Sequence, residues 1–445
     1  LKVSCVCDVC ERVGKMAFSA HKDDKRMEEF RESTENIDAK ARALAQFIRD
    51  ARHVVVFTGA GISTTAGIAD YRGPQGVWTL QAKGEAHKIR SVEMTSAVPT
   101  PTHMSLVKLV NESLVHHVIS QNVDGLHRKS GVPKEQMSEL HGNSNVEYCT
   151  TCRREYFRDF PVEAQTLKAG CHQTGRRCVA AGCGGLLHDT IIHFGEALPV
   201  ETVTQAFAQS ESADLHVVLG SSLTVSPASD MPRSTLKRGG KLVIVNLQRT
   251  AQDAAATLRV HCGVDDLMNR LMFHLTLPVP PFKLLRSAAL WRSGERLCCA
   301  ALDADGAPAT LFKSCTFSSE AVGEEVGCSV DQVILSTSQS HSGDASVRCS
   351  FFGHYGEPEV DLTLPQASSV RQFRFSLDPL VDTVWSLDRT DGGKVPSVED
   401  ILPGKGGAVN SQVKQQMPLE DTTDYSGWFA VEPADDCQHT ACGVK

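Results

Sequence analysis

Hydrophobic positions along the chain fall into runs that predict an alternation of helices and strands. Ile37, Ala41, Leu44, Ala45 and Ile48 recur at helical spacing and predict a helix from Ile37 to Arg52 with one buried face. It leads straight into Val54-Val55-Val56-Phe57, an apolar β-branched run that reads as a buried strand. Gly59-Ala60-Gly61-Ile62-Ser63 then reads as a tight turn that opens into a helix at Ser63-Thr64-Thr65-Ala66. Met104, Val107, Leu109 and Val110 stripe a second helix from about Thr102 to Ser113, and Leu114 to Ser120 suits another buried parallel strand. Strands are also expected at Leu215–Gly220 and Lys241–Asn246, each ending in a polar motif. Alternating strands and helices with polar motifs at strand ends predict an α/β fold with a doubly wound, Rossmann-like parallel sheet.

The pattern changes at Pro278-Val279-Pro280-Pro281, which reads as a linker. Short alternating stretches at Arg296–Leu302, Gln332–Thr337, Val347–Phe352 and Val370–Leu377, separated by Gly, Ser and Asp, predict a C-terminal β-rich module of unknown type. The organisation expected is a flexible arm over residues 1–36, an α/β domain over 37–277 with a cysteine insert at about 144–190, the β-rich module over 278–390, and a disordered acidic tail over 391–445.

Composition narrows the class. With 445 residues the chain exceeds one core. A formal net charge of −8 gives no electrostatic footprint for direct nucleic-acid binding. No apolar run reaches bilayer length and no signal-peptide core opens the chain, so a soluble intracellular protein without membrane contact is expected. Leu1 stands where an initiator Met is usual, which reads as a fragment or gene-model start with room for a missing upstream segment. Sixteen Cys in so long a chain, some in paired spacing, point to metal and free thiols rather than a disulfide framework. Cys149-x2-Cys152 and Cys178-x4-Cys183, twenty-five residues apart, can close one tetrahedral thiolate site for structural Zn²⁺. Cys171-His172 offers a substitute ligand. Cys5, Cys7 and Cys10 lack a nearby fourth ligand and read as free thiols on the arm, with a second metal knuckle completed by a distant ligand as the alternative.

The glycine turn alone is weak, because Gly59-x-Gly61 lacks the third glycine of the dinucleotide fingerprint and no acidic strand end follows at the usual distance. Its company is more specific: Asp70-Tyr71-Arg72-Gly73, Gln121-Asn122-Val123-Asp124-Gly125, Glu139-Leu140-His141-Gly142, Gly220-Ser221-Ser222 and Val245-Asn246-Leu247-Gln248 occur in this order. Over roughly Ala41 to Leu275 this set resembles the sirtuin family of NAD-dependent protein deacylases. Tyr71-Arg72-Gly73-Pro74-Gln75-Gly76-Val77-Trp78-Thr79 and His188-Asp189-Thr190-Ile191-Ile192-His193-Phe194-Gly195-Glu196 resemble the branch of mammalian sirtuins six and seven, more closely seven. Ala69 stands where the family has proline. The Cys178–Cys183 loop is longer than in sirtuin seven, and the C-terminal tail is acidic where that relative's is basic.

The resemblance implies that NAD binds in the sheet crevice, that an acyl-lysine oxygen attacks its nicotinamide ribose, and that His141 is the general base, an imidazole whose ordinary pKa lies near working pH. Asn122 and Asp124 join it as catalytic residues. Gly59, Ala60, Gly61, Ser63, Thr64, Tyr71, Arg72, Trp78, Gln121, Asn122, Asp124, Gly220, Ser221, Ser222, Asn246, Leu247, Gln248 and Val264 are implied to bind NAD. Cys149, Cys152, Cys178 and Cys183 are implied to hold zinc, with Cys178 in the family's third-ligand segment. His193-Phe194-Gly195-Glu196 matches the edge on which the family lays an extended acyl-lysine peptide. Histones and a nuclear location follow from the same branch, with cytoplasm as the alternative. A mono-ADP-ribosyltransferase or a noncatalytic NAD and zinc reader fits the same pocket, while a dehydrogenase is disfavoured by the missing glycine and acidic residue.

Overall fold

The computed structural model describes residues 27–388, apart from 163, 165–169, 181, 194, 294–295, 303–307, 310, 319–322, 328–334, 338–342, 369 and 383. Cys5, Cys7, Cys10, Phe194 and the tail from Asp391 therefore lie outside the described residues.

Helix α1 (Thr34–Asp50) starts earlier than its apolar stripe because the Ser33 hydroxyl accepts the Asn36 N–H, and it buries Ile37, Ala41, Leu44, Ala45 and Ile48. Strand β1 (Val54–Thr58) follows, buried along its whole length. The expected helix after the glycine turn does not form. Two single-turn 3₁₀ segments, Ala60–Ile62 and Thr64–Ala66, take its place, and Gly67 at φ +86° ends the second. The reason is non-local, since the Gly61 N–H donates to the Gly220 carbonyl of a neighbouring loop at 2.9 Å.

Next come α2 (Val77–Ala82), α3 (Pro101–Asn111) and β2 (His117–Ser120). Thr100 and His103 form a reciprocal cap at the start of α3, with Pro101 at its first position. Strand β2 is shorter than expected because the Leu114 and Val115 N–H groups close the end of α3 on the Leu109 carbonyl. Then follow α4 (Leu126–Ser130), β3 (Met137–Glu139), and the cysteine insert with β4 (Val146–Cys149), β5 (Glu155–Phe157), β6 (Gln173–Arg177) and β7 (Leu186–Asp189), an antiparallel sheet in the order β5-β4-β7-β6. The α/β domain closes with α5 (Val200–Ser212), β8 (Leu215–Leu219), α6 (Met231–Lys237), β9 (Lys241–Val245), β10 (Leu258–Val260) and α7 (Val264–Leu275).

The main sheet has the order β10-β9-β8-β1-β2-β3 and every pairing is parallel. Alternation sends Val54 and Val56 into one core with α1, α3 and α7, and Val55 and Phe57 into a second core with α5 and α6. The strand order reverses at β1, so the carboxyl ends of β1 and β8 border the crevice where doubly wound sheets take ligands.

Beyond the linker, β11 (Leu284–Ser293), β12 (Arg296–Leu302), β13 (Pro308–Ala309), β14 (Phe312–Ser318), β15 (Gly323–Gly327), β16 (Leu335–Ser336), β17 (Ala345–Phe351), β18 (Val360–Leu364), β19 (Val370–Leu377) and β20 (Ser386–Asp388) build two further sheets. Leu290, Leu297 and Phe375 of one share an apolar core with Phe317, Val347 and Leu362 of the other. Cys299, Cys315 and Cys349 meet there, fully buried, as small apolar side chains. This module packs on the α/β domain: Met104 of α3 enters its core, the Tyr355 hydroxyl donates to the Ala97 carbonyl at 3.2 Å, and Arg286 bridges Asp159 and Glu357. Among the described residues no helix is long and apolar enough to cross a membrane.

Candidate functional site

The loops after β1 and β8 touch backbone to backbone. The Gly59 N–H donates to Leu219 at 3.0 Å and that of Gly61 to Gly220 at 2.9 Å. A Cβ on Gly61 would lie 2.8 Å from Gly220 Cα, so a side chain has no room. The loop after β2 joins them through Asn122 and Asp124. Asn122 Nδ2 donates to the Gly59 carbonyl at 3.2 Å, the Ser63 hydroxyl donates to Asp124 Oδ2 at 2.7 Å, and Asp124 Oδ1 caps α4 through the Leu126 N–H. Thr64 is exposed and returns its hydroxyl to the Gly61 carbonyl. Ser221 is buried and accepts the Leu223 N–H.

His141 sits in the turn after β3. Its Nδ1 is 2.8 Å from the Gln121 carbonyl, which can only accept, so Nδ1 carries the proton and Nε2 the lone pair. Nε2 is buried and has no hydrogen-bond partner among the described residues, and the same holds for Gln121 Nε2. Burial pushes the His141 pKa down to about 4; the Gln121 carbonyl opposes this and the Arg72 charge reinforces it. Unmet buried polar atoms beside a cradle of glycines suit a polar ligand such as NAD.

The Tyr71–Trp78 loop is compact. The Arg72 guanidinium lies 4.3 Å from the Trp78 ring centroid and Tyr71 packs on the same ring at 4.8 Å. Burial lowers the Arg72 pKa to about 10, which leaves it a cation at neutral pH. Gln248 Nε2 donates to the Arg72 carbonyl at 3.2 Å and to Met27 at 3.3 Å, and Asn246 Nδ2 donates to the Gln248 carbonyl at 3.1 Å. The Gln248 amide thus ties its loop to two other segments, while the Asn246 amide stays within its own loop. The Leu247 carbonyl accepts the Phe30 N–H. Ala60 lies in the first 3₁₀ turn. Ser222, next to Ser221, is bonded to Thr224, and Val264 is buried at the start of α7 in the core that also holds Ile62 of the glycine loop.

Two contributors escaped the sequence reading. Asp265 accepts the Thr65 hydroxyl together with the Thr102 N–H and hydroxyl, fixing the glycine loop to α3; its signal is an acid in the first turn of a helix. The segment from Met27 to Glu32, with no periodic pattern, runs against Leu247 and Gln248.

In the insert, Cys149 ends β4, Cys152 follows in the turn, and Cys178 and Cys183 lie between β6 and β7. The four sulfurs all lie within 4.8 Å of one another, with Cys149–Cys183 at 3.5 Å and Cys152–Cys178 at 3.6 Å. A tetrahedron with metal–sulfur bonds of about 2.3 Å has edges of about 3.8 Å, so this set fits Zn²⁺. The Tyr156 hydroxyl is 3.0 Å from Cys178 Sγ. Cys171 is exposed outside this group, and His172 is engaged by Asp189 and Glu196. The Ile192 N–H donates to the His141 carbonyl, which joins the segment leading to His193 to the pocket.

A family profile described as Sir2 family matches residues 85–227. The NAD-dependent protein deacetylase SRT1 of Oryza sativa subsp. indica is 45% identical over 268 residues, 60% of this chain and 55% of that protein. The NAD-dependent protein deacetylase sirtuin-7 of Homo sapiens is 45% identical over 58% of this chain and 65% of its own length. For the NAD-dependent protein deacetylase Sirt6 of Drosophila melanogaster the identity is 40%, covering 56% of this chain and 80% of the relative. The chain thus spans little more than half of the plant relative.

Proposed function

The chain belongs to the Sir2 family, and from that premise we propose that it is an NAD-dependent protein-lysine deacylase that moves the acyl group of an acyl-lysine to ADP-ribose and releases nicotinamide. When bound, NAD supplies the ribose carbon that gives up nicotinamide and the hydroxyl that accepts the acyl group. The observation that carries the reading is the His141 imidazole, with Nδ1 committed to Gln121 and Nε2 buried and available. Nε2 takes the proton of the acceptor hydroxyl. Asn122, Asp124 and Gln121 orient the nicotinamide end, and the Gly59–Ser63 loop shapes the cofactor cradle by close backbone approach, its Gly59, Gly61, Ile62 and Ser63 N–H groups being spent within the fold. Ala60, Thr64, Tyr71, Arg72 and Trp78 line the cofactor loop, with Gly220, Ser221, Ser222, Asn246, Leu247, Gln248 and Val264 around the adenosine. The bonded amides of Asn246 and Gln248 favour a shaping role for these two residues.

Cys149, Cys152, Cys178 and Cys183 hold one structural zinc, and four protein ligands leave no open position for chemistry. The partner is an acyl-lysine peptide or protein laid along the edge around His193 and Glu196, with histones and other nuclear proteins the first substrates to test and the nucleus the first location.

The test is a product assay of the full chain with NAD and lysine peptides bearing chains from acetyl to myristoyl. Equal amounts of nicotinamide and O-acyl-ADP-ribose are expected. Neither product on any peptide contradicts the reading, and label from NAD remaining on protein without acyl-lysine identifies an ADP-ribosyltransferase instead.

A further inference from the structure

Away from the pocket, one cluster of titratable side chains joins the cysteine insert to the segment that leads into the substrate edge. His172, just before β6, lies between two carboxylates: Nδ1 is 2.9 Å from Asp189 Oδ1 at the end of β7, and Nε2 is 3.2 Å from Glu196 Oε1. Each carboxylate also organises backbone. Asp189 Oδ1 accepts the Ile191 N–H at 3.1 Å, Glu196 Oε2 accepts the His193 N–H at 2.7 Å, and Glu196 Oε1 accepts the Gly170 N–H. The His193 ring stacks on that of His172, with centroids 5.5 Å apart and planes at 21°. Among the described residues the titratable groups facing His172 are Asp189, Glu196 and His193, with His188 on β7 close enough to feel its charge.

We propose that His172 is a positioning residue for the acyl-peptide, a bridge between Asp189 and Glu196 that fixes the edge around His193 and Glu196 against the insert. The inference rests on the deacylase reading. Only the imidazolium donates to both carboxylates; the neutral ring satisfies one and turns a lone pair on the other. The hydrogen bond to Asp189 raises the pKa of His172 above its ordinary value, against its partial burial. Strand addition of a peptide requires a fixed edge backbone. Loss of the second bond therefore loosens the edge and weakens peptide binding, while His141 and the glycine loop keep their geometry.

The experiment measures peptide KM and kcat from pH 6 to 9 at saturating NAD, with an acetyl-lysine peptide that has no other titratable side chain. Wild type is compared with His172→Ala, His172→Gln and Glu196→Gln, each checked for zinc content and melting temperature. In wild type the peptide KM rises about tenfold with pH, the size of one hydrogen bond to a charged group. In His172→Gln it is flat and already high, and His172 changes alter neither kcat nor the KM for NAD. A flat wild-type KM, or a pH dependence that persists in His172→Gln, overturns the proposal. Where His172→Ala loses zinc, the wild-type profile and the Gln variant decide. A wild-type chain that deacylates nothing removes the deacylase reading instead, and direct titration of a fluorescent acetyl-peptide then reads the same pH dependence without turnover.

Discussion

Gly61 and Gly220 are in direct backbone contact: the Gly61 N–H donates to the Gly220 carbonyl at 2.9 Å, and a Cβ on Gly220 would lie 2.7 Å from the Gly61 carbonyl carbon. Gly220 also sits at φ +62°, where an L side chain is strained by about 1–2 kcal/mol. Gly220→Ala therefore costs stability through strain and through overlap worth about 1–3 kcal/mol more, and it separates the two loops proposed to hold NAD. Thermal melting with and without NAD measures both effects. A variant with wild-type melting and an undiminished NAD-induced shift contradicts this reading of the contact.

Acid destabilises the fold through its buried imidazoles. Burial lowers His103, His127 and His216 to about 3, and His117 and His141 to about 4. The unfolded chain titrates these groups near pH 6.5, so between about 6.5 and 4 it binds protons that the folded chain refuses, and stability falls as pH is lowered through that window. His172, raised by its hydrogen bond to Asp189, and Glu139, raised by burial to about 7, work in the opposite direction over this window, two groups against these five. The melting temperature is expected to drop between pH 7 and pH 5; a value constant over that interval would show that these side chains are not buried as described.

Arg286 ties the β-rich module to the α/β domain. Its Nη2 is 3.1 Å from both oxygens of Asp159 and 3.0 Å from Glu357 Oε1, and all three side chains are buried. Arg286→Met strands two buried carboxylates and should cost about 3–5 kcal/mol. Adding Asp159→Asn and Glu357→Gln should recover much of that loss. Chemical denaturation that finds the single and triple variants equally stable contradicts the assignment.

Metal content separates the two thiol clusters. Elemental analysis should find one zinc per chain, and chelation or Cys149→Ser should lower melting temperature and activity together, because binding energy at such a site is folding energy. Cys315→Ala, in the apolar core of the β-rich module, should leave the zinc count unchanged. A preparation without zinc, or zinc lost with Cys315, contradicts the assignment.

What the sequence made legible was local. The stripe from Ile37 to Ile48 is the buried face of α1, and the apolar run before Gly59 is the buried strand β1. The parallel sheet and its crevice followed from such runs and from polar motifs at their ends. What stayed hidden depends on distant partners. The turn after Gly61 bends toward Gly220 instead of continuing as a helix, and no residue in Ser63–Ala66 announces this. That the Gln248 amide bridges the carbonyls of Met27 and Arg72, 221 and 176 positions away, has no signal in the local pattern. The docking of the β-rich module rests on a pair 127 positions apart, Arg286 and Asp159, beyond the reach of any periodicity.

The most direct test of the account compares His141→Ala with wild type in deacylation rate per folded, zinc-loaded molecule. The exchange of labelled nicotinamide into NAD is followed in parallel. Because burial holds His141 near pKa 4, its base form is present throughout neutral pH, and the acid limb expected near 6.5 from an ordinary imidazole moves down accordingly. General acid–base catalysis contributes about 10²- to 10⁴-fold, so deacylation should fall by that order while nicotinamide exchange falls less and melting temperature and zinc content hold. A deacylation ratio near one in folded, zinc-loaded protein would remove His141 from the mechanism and with it the central claim.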